Sequence, residues 1–566
     1  MRSPTPLAPV LALVLVIATT TLATGCGGPP ADPAGEPTLL IENARVFTGN
    51  PQAPWAEAVA VRGETILAVG ARDALVAVLG PGVTRIDGGG GLVTPGLIDA
   101  HVHLLEGGFR LSSVQLRDAA TPEDFTERIA AFAATVEPGT WITGGDWDHE
   151  RWGGELPDRA WIDAATPANP VWVNRLDGHM ALANTLALEA AGLPTGDGAD
   201  VPTLDGGTVV TEAAGRLTGV LKDNAMGLVA SVVPPPPPEL EDRALDAAMA
   251  YVARFGVTGV HHMGTWEDLA VFERARDAGR LRTRIYAAVP LDTWKRLAER
   301  VAAEGRGDWL RIGALKGFVD GSLGSHTAAF FEPYTDVPDD RGLLVNDRED
   351  LRRWIEGADA SGLHLIVHAI GDRANAELLD LYRGAIERNG PRDRRFRIEH
   401  AQHLRAQEIP RFAELGVIPS MQPYHAIDDG RWAERVIGPE RAQGTYAFRA
   451  LLDAGAAVAF GSDWFVAPPI PAEGVYAAVT RRTLDGAHPA GWVPAQKIGV
   501  EEALHAYTRA GAFAGFDETR TGTLEPGKLA DLALFDRDLT AIDAGELRDA
   551  RVVLTLVGGR IVHYAR

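Results

Sequence analysis

Cysteine is nearly absent: Cys26 is the only one in 566 residues, which excludes any disulfide within the chain. A long hydrophobic run is also missing. The apolar stretch Leu7–Ala18 falls short of the roughly 20 residues that a membrane-spanning helix needs. Positive charge is scarce, with 54 Lys+Arg against 76 Asp+Glu for a net charge of −22. That balance opposes nucleic acid or an anionic membrane face as the main partner and suits small neutral or cationic ligands. No repeat of solenoid period is evident, and low complexity is confined to Pro234–Pro238. What is present is ordinary globular composition: 46% hydrophobic and 23% charged residues argue against a wholly disordered chain, a coiled coil or a polytopic membrane protein. The length predicts more than one domain.

The amino terminus has the layout of a secretory signal: Arg2, the apolar stretch, then small residues up to Ala23-Thr24-Gly25-Cys26. It resembles a bacterial lipobox, with Ala23 where Leu is commoner. The reading is a lipoprotein signal peptide over 1–25, lipidation at Cys26, a flexible tether over 26–37, and an exported protein anchored to a membrane through its lipid. An incidental cysteine is the alternative.

Both ends of the chain are strand-rich. Leu39–Phe47 and Ala58–Val69 carry a turn at Gly63, and Asp531–Phe535 and Val552–Val562 carry one at Gly558-Gly559. The simplest arrangement pairs them into one small β-sandwich domain made of 38–90 and 515–566. Between them, short apolar strands alternate with amphipathic helical segments. Strands are predicted at Gly96–His103, Gly256–Met263, Arg284–Val289, Leu310–Phe318, Leu363–His368, Phe396–His400, Val417–Met421 and Ala456–Asp463, with helices such as Glu349–Ala360, Ala374–Asn389 and Gln407–Leu415 between later ones. Eight βα alternations predict an α/β fold, a (β/α)8 TIM barrel, over 91–514. About 150 residues separate the first strand from the second, far beyond a usual βα loop, so an inserted subdomain is expected at about 105–245.

Barrel active sites collect at the carboxyl ends of the strands. There the first strand carries His101 and His103, which alternation places on one face. The fourth holds Lys316, the fifth ends at His368, the sixth at His400 and the eighth at Asp463. Imidazoles and a carboxylate in such a ring are metal-ligand chemistry.

This pattern resembles the amidohydrolase superfamily, and within it the large members called amidohydrolase family 3. The motifs that carry the resemblance are Thr94-Pro-Gly-Leu-Ile-Asp-Ala-His-Val-His103, Lys316-Gly-Phe-Val-Asp-Gly-Ser-Leu-Gly324, Val367-His-Ala-Ile-Gly-Asp-Arg373, Ile398-Glu-His-Ala-Gln402, Phe460-Gly-Ser-Asp463 and Gly522-Thr-Leu-Glu-Pro-Gly-Lys-Leu-Ala-Asp531. Asp177-Gly-His-Met-Ala181 in the insertion also fits. The resemblance implies that His101, His103 and Asp463 bind one divalent ion, with Zn²⁺ the expected metal, and that His368 and His400 bind a second. It further implies that Lys316 carries a CO₂-derived carbamate (N6-carboxylysine) bridging the two. The alternative is an ion pair of Lys316 with Asp320 or Asp463 in a one-metal site. Asp463 is the expected proton-transfer residue. His179 is expected to contact substrate or transition state, or else to cap the surface, and Asp320, Arg373 and His425 are candidates for lining the substrate pocket, with bracing of neighbouring loops the alternative for Asp320 and Arg373.

The expected activity is metal-dependent hydrolysis of a non-peptide or cyclic C–N bond in a small molecule by activated water. Esters, lactones or phosphoesters on the same site are the alternative, ahead of a noncatalytic solute-binding lipoprotein. A homo-oligomer is left open, and no nucleic-acid partner is expected.

Overall fold

The computed structural model describes residues 38–79, 82–198, 201–303 and 307–565. The expected signal, tether and lipidated Cys26 lie outside them.

Eight parallel strands form the central sheet: β1 (Leu97–Val102), β2 (Val257–Met263), β3 (Arg284–Pro290), β4 (Leu310–Phe318), β5 (His364–Ala369), β6 (Arg397–His400), β7 (Ile418–Met421) and β8 (Ala459–Phe460). They follow one another in chain order around the sheet. Its two edges meet just beyond β1 and β8, where Val102 bridges Trp464 and the Asp463 amide donates to the His101 carbonyl (2.7 Å). β1, β2 and β5 are buried at every position, as expected of strands covered by helices outside and by side chains inside. All eight expected strands are present. The last is shorter than expected, because the Ser462 amide turns to the Asp99 carboxylate and Asp463 has a φ of 60°, which ends extended backbone.

The long interval after β1 folds as its own six-stranded sheet, running from Val114–Gln115 at one edge to Gly207–Thr211 at the other, over a core that includes Phe125, Ile129, Trp147 and Ile162. Within the proline run Pro237 is extended, and Pro238 opens the helix Pro238–Ala253 at a position where its missing N–H costs nothing. This helix packs against Leu104–Arg110 closely enough that a Cβ on Gly108 would lie 2.2 Å from the Ala244 carbonyl oxygen, so only glycine fits there.

The chain ends supply two further sheets. A four-stranded one joins Thr65–Gly70, Ala58–Arg62, Thr38–Glu42 and Thr84–Asp87; a six-stranded one joins Arg560–Tyr564, Val552–Val557, Leu532–Phe535, Leu92–Pro95, Arg45–Phe47 and Trp55–Ala56. Ile41, Val59 and Val61 from the first share a buried cluster with Val46, Leu532 and Leu554 from the second. Leu39–Phe47 divides between the two sheets at Asn43, whose φ is 54°. Leu92–Pro95 pairs with Leu532–Phe535, so the terminal sheet extends past the boundary expected at residue 90.

Candidate metal centre and active-site pocket

His101 and His103 leave the end of β1 on one face, as alternation requires. His101 is fully buried, with Nδ1 2.5 Å from Glu399 Oε2 and Nε2 3.2 Å from Asp463 Oδ1. His103 Nε2 lies 3.3 Å from the same Oδ1 and is more open, 29% exposed beside Phe465. Asp463 Oδ2 reaches within 4.0 Å of His400 Nδ1. Burial would raise the Asp463 carboxyl, but His101, His103 and His400 hold it well below the usual range.

Positive φ at His400 (71°) and Ala401 (44°) ends β6 and turns His400 over the barrel mouth. Its Nδ1 donates to Gln422 Oε1 (2.9 Å), while His368 Nε2 donates to the Gly321 carbonyl (2.9 Å). The two rings are 4.6 Å apart. Burial, reinforced by neighbouring cationic groups, holds His368 and His400 well below the ordinary imidazole value and also lowers His103, so all three are neutral near pH 7. In His101, His368 and His400 one ring nitrogen is engaged by a fixed acceptor, leaving the other lone pair for an ion. That is the outer-shell arrangement of metal-binding histidines.

His425 lines the pocket, as expected of a candidate substrate contact, and it also joins the ligand cluster: its ring stacks over that of His400 (6.3 Å, 11°), and ligand atoms of His400, His425 and Asp463 lie within 4.8 Å of one another, as do those of His101, His103 and Asp463. Its buried Nε2 has no hydrogen-bond partner. A neutral imidazole nitrogen in that state suits a cation, and the donor set as a whole fits a divalent metal.

Lys316 lies on β4 with Nζ 3.3 Å from His101 Nε2 and 4.8 Å from the Phe318 ring centre. Burial, helped by Arg397 and opposed by Glu399 and Asp463, lowers it to about 8. Asp320 is fully buried and accepts from the amides of Ile370 (2.9 Å), Gly371 (2.8 Å) and Ala329 (2.8 Å), so it braces the loops beyond β4 and β5 and is not among the residues lining the pocket. Burial nonetheless pushes its carboxyl up to about 7. Arg373 also stands outside the lining: it is 40% exposed and pairs with Glu377 (2.7 Å) one helical turn on, as a side chain facing outward from the helix Asp372–Asn389 does.

The insertion brings His179 over the mouth. Its ring is 5.0 Å from that of His368, and its Nδ1 donates to Asp223 Oδ1 (2.6 Å). Burial opposes protonation, but Asp223, Asp177 and Asp320 raise His179 above its ordinary value. Further out, Asp177 pairs with Arg175 (2.7 Å), Arg431 with Asp148 (3.0 Å), and Asp429 accepts from Tyr446 (2.6 Å) and Gln402 (2.9 Å). The pocket wall therefore mixes charged and polar groups with the apolar side chains of Leu176, Leu323, Ile370, Trp432 and Val466.

Sequence reasoning assigned no role to Glu399, Asp223 or Gln422. Glu399 had a signal: Arg397 and Glu399, two apart on a short strand, must share a face, and a charged pair facing a barrel interior needs a partner. Asp223 and Gln422 had none, because each meets its histidine only through the folded chain.

Residues 84–563 match the profile of the amidohydrolase family. The chain is 39% identical over 546 residues to Protein LONG AFTER FAR-RED 3 of Arabidopsis thaliana, covering 94% of this chain and 92% of that one. It is 29% identical over 552 residues to the N-substituted formamide deformylase of Arthrobacter pascens, covering 93% and 98%. Its fold is similar to the crystal structure of an uncharacterized metal-dependent hydrolase from Pyrococcus horikoshii OT3, with a TM-score of 0.72 at 28% identity over 90% of this chain and 99% of that one. Barrel, ligand ring and a match over most of the length agree: the chain belongs to the amidohydrolase family.

Proposed function

We propose that the protein is a metal-dependent hydrolase that breaks a C–N bond, other than a peptide bond, in a small amide-like substrate. The observation that carries this is the convergence of His101, His103, His400, His425 and Asp463, with His368 beside them, and the anchoring of His101, His368 and His400 through one ring nitrogen each. Similarity to a formamide deformylase favours the C–N bond over an ester. His101, His103 and Asp463 would hold a first ion, Zn²⁺ by donor type, and His400 with His425 or His368 a second. When bound, such a metal supplies a water that ionises near neutral pH and a Lewis acid for the carbonyl oxygen.

The protein's own groups do the rest. Asp463 takes the proton of the attacking water and delivers it to the leaving nitrogen. His179, oriented by Asp223, donates to the oxyanion as it forms. The polar wall of Asp177, Arg431 and Asp429 orients the substrate. Lys316, whose pKa is lowered by burial, reacts as the neutral amine with CO₂; an N–C bond forms, one proton leaves, and the resulting carbamate faces the ligand ring as an anion.

The same reading takes the two terminal sheets as one composite β-sandwich and places the mature chain outside the cytosol, anchored by Cys26. Cys26→Ser should release the protein or leave its precursor unprocessed; a variant still membrane-bound and correctly cleaved would remove the anchor. Activity is tested with a metal-supplemented panel of N-substituted formamides, hydantoins, lactones and phosphoesters. Turnover of the C–N substrates first is expected; turnover confined to lactones or phosphoesters would overturn the assignment.

A further inference from the structure

Arg397 and Glu399 project from β6 into the barrel, and both are completely buried. Arg397 Nε donates to Glu399 Oε1 (2.8 Å) and one terminal nitrogen to Oε2 (3.0 Å), a two-pronged pair of the kind a guanidinium makes with a carboxylate. The same guanidinium reaches Ser420 Oγ (2.9 Å) on β7, His261 Nδ1 (2.7 Å) on β2 and the Ala100 carbonyl on β1. The guanidinium that pairs with the carboxylate is therefore itself held by groups on three other strands. The carboxylate's remaining contact is His101 Nδ1 at 2.5 Å.

A carboxylate paired in this way has no proton to give, so Nδ1 of His101 must be the donor. The alternative tautomer has an acceptor waiting: Asp463 Oδ1 is 3.2 Å from Nε2 and could take an Nε2–H bond. In that tautomer Nε2 has no lone pair, and His101 is lost as a ligand. We infer that Glu399, held by Arg397, is a positioning residue that locks His101 in the Nδ1–H tautomer and so keeps Nε2 available to a metal. The inference rests on the metal-centre reading above and adds to it what selects the ligand form of its most buried histidine.

The test compares two double variants that share one background. Removing Glu399 alone would strand a buried guanidinium, whereas replacing both members of a buried ion pair is often tolerated. Arg397→Met/Glu399→Leu takes away the acceptor for Nδ1–H. Arg397→Met/Glu399→Gln returns a neutral acceptor in the same place, free of the guanidinium. Apo-protein of the parent and both variants is titrated with Co²⁺ against a chelator of known affinity, visible absorption is followed, and the melting temperature of each apo-protein is recorded. The leucine variant should bind Co²⁺ about 10- to 100-fold more weakly, as is typical when an outer-shell partner is lost, with an altered absorption band. The glutamine variant should recover most of the affinity and the parent band. A merely structural role would weaken melting in both variants alike and leave the affinity of the folded protein unchanged in both. Equal Co²⁺ affinity and equal spectra in the leucine and glutamine variants would overturn the inference. A parent that binds no Co²⁺ would overturn the metal-centre reading along with it.

Discussion

Removing the Asp531 carboxylate should loosen the join between the terminal strands and the barrel by an amount the contacts define. Asp531 accepts from Arg284 Nε (2.7 Å) and a terminal nitrogen (3.1 Å), and its Oδ1 also accepts from the Gly558 amide (2.7 Å) at the last hairpin turn. The two side chains are only 10% and 4% exposed, so solvent cannot take over the lost bonds. Breaking one side of a buried pair costs about 3–5 kcal/mol. Arg284 keeps the Asp308 carbonyl (3.0 Å) and stacks on Trp309 (4.7 Å), which places Asp531→Ala near the lower end, about 3 kcal/mol. If roughly 500 residues unfold together, with about 2.1 cal/mol/K each, the unfolding entropy is near 1.1 kcal/mol/K and the melting temperature should fall by about 3 °C. Asp531→Asn retains an acceptor and should lose about half as much. Arg284→Met/Asp531→Leu should recover most of the loss, because no charge is left stranded. Differential scanning calorimetry on the four proteins is the assay. An Asp531→Ala melting temperature equal to that of the parent would refute the reasoning.

His101→Ala and His103→Ala should each lose metal while keeping the far-ultraviolet circular dichroism of the parent, since both lie at the mouth rather than in the packed layers; equal metal content in variant and parent would contradict this. Asp177, held down to about 2 against its burial chiefly by Arg175, contributes stability that is complete above its unfolded value near 4 and disappears as pH falls through about 2. Asp177→Asn should therefore be less stable in urea by about 2 kcal/mol at pH 5–8, with the gap closing below pH 4; a gap independent of pH would count against the pairing. Apo-protein reconstituted without CO₂ should recover slowly and bicarbonate should accelerate it, with Lys316→Ala partly rescued by a short carboxylic acid and Lys316→Arg not. Recovery indifferent to bicarbonate would remove the carbamate.

The barrel was legible because short, mostly apolar strands alternate with amphipathic helical segments once the long insertion after β1 is set aside. The end of β8 was not, since Ser462 and Asp463 give up strand geometry for bonds to β1 that only the closed sheet creates. Leu92–Pro95 could not be assigned from its own residues either: an apolar run just before β1 reads equally as barrel or as terminal sheet, and its partner lies more than 400 residues away at Leu532–Phe535. In the site, strand ends gave His101, His103, Lys316, His368, His400 and Asp463 their positions. His425, expected on the pocket wall because it follows β7, is there, but its stacking on His400 from the helix Pro423–Asp429 had no signal in the sequence. Arg373 and Asp320 flank a ligand strand in sequence, yet one points outward to Glu377 and the other is used up by three backbone amides. Proximity along the chain does not fix the direction of a side chain.

Metal-dependent cleavage of a C–N bond is tested most directly by following turnover of an N-substituted formamide and metal content together, in the purified protein, after removal of metal with a chelator, and after return of Zn²⁺. Turnover should fall with the metal and return with it. Undiminished turnover in protein stripped of metal would contradict the account.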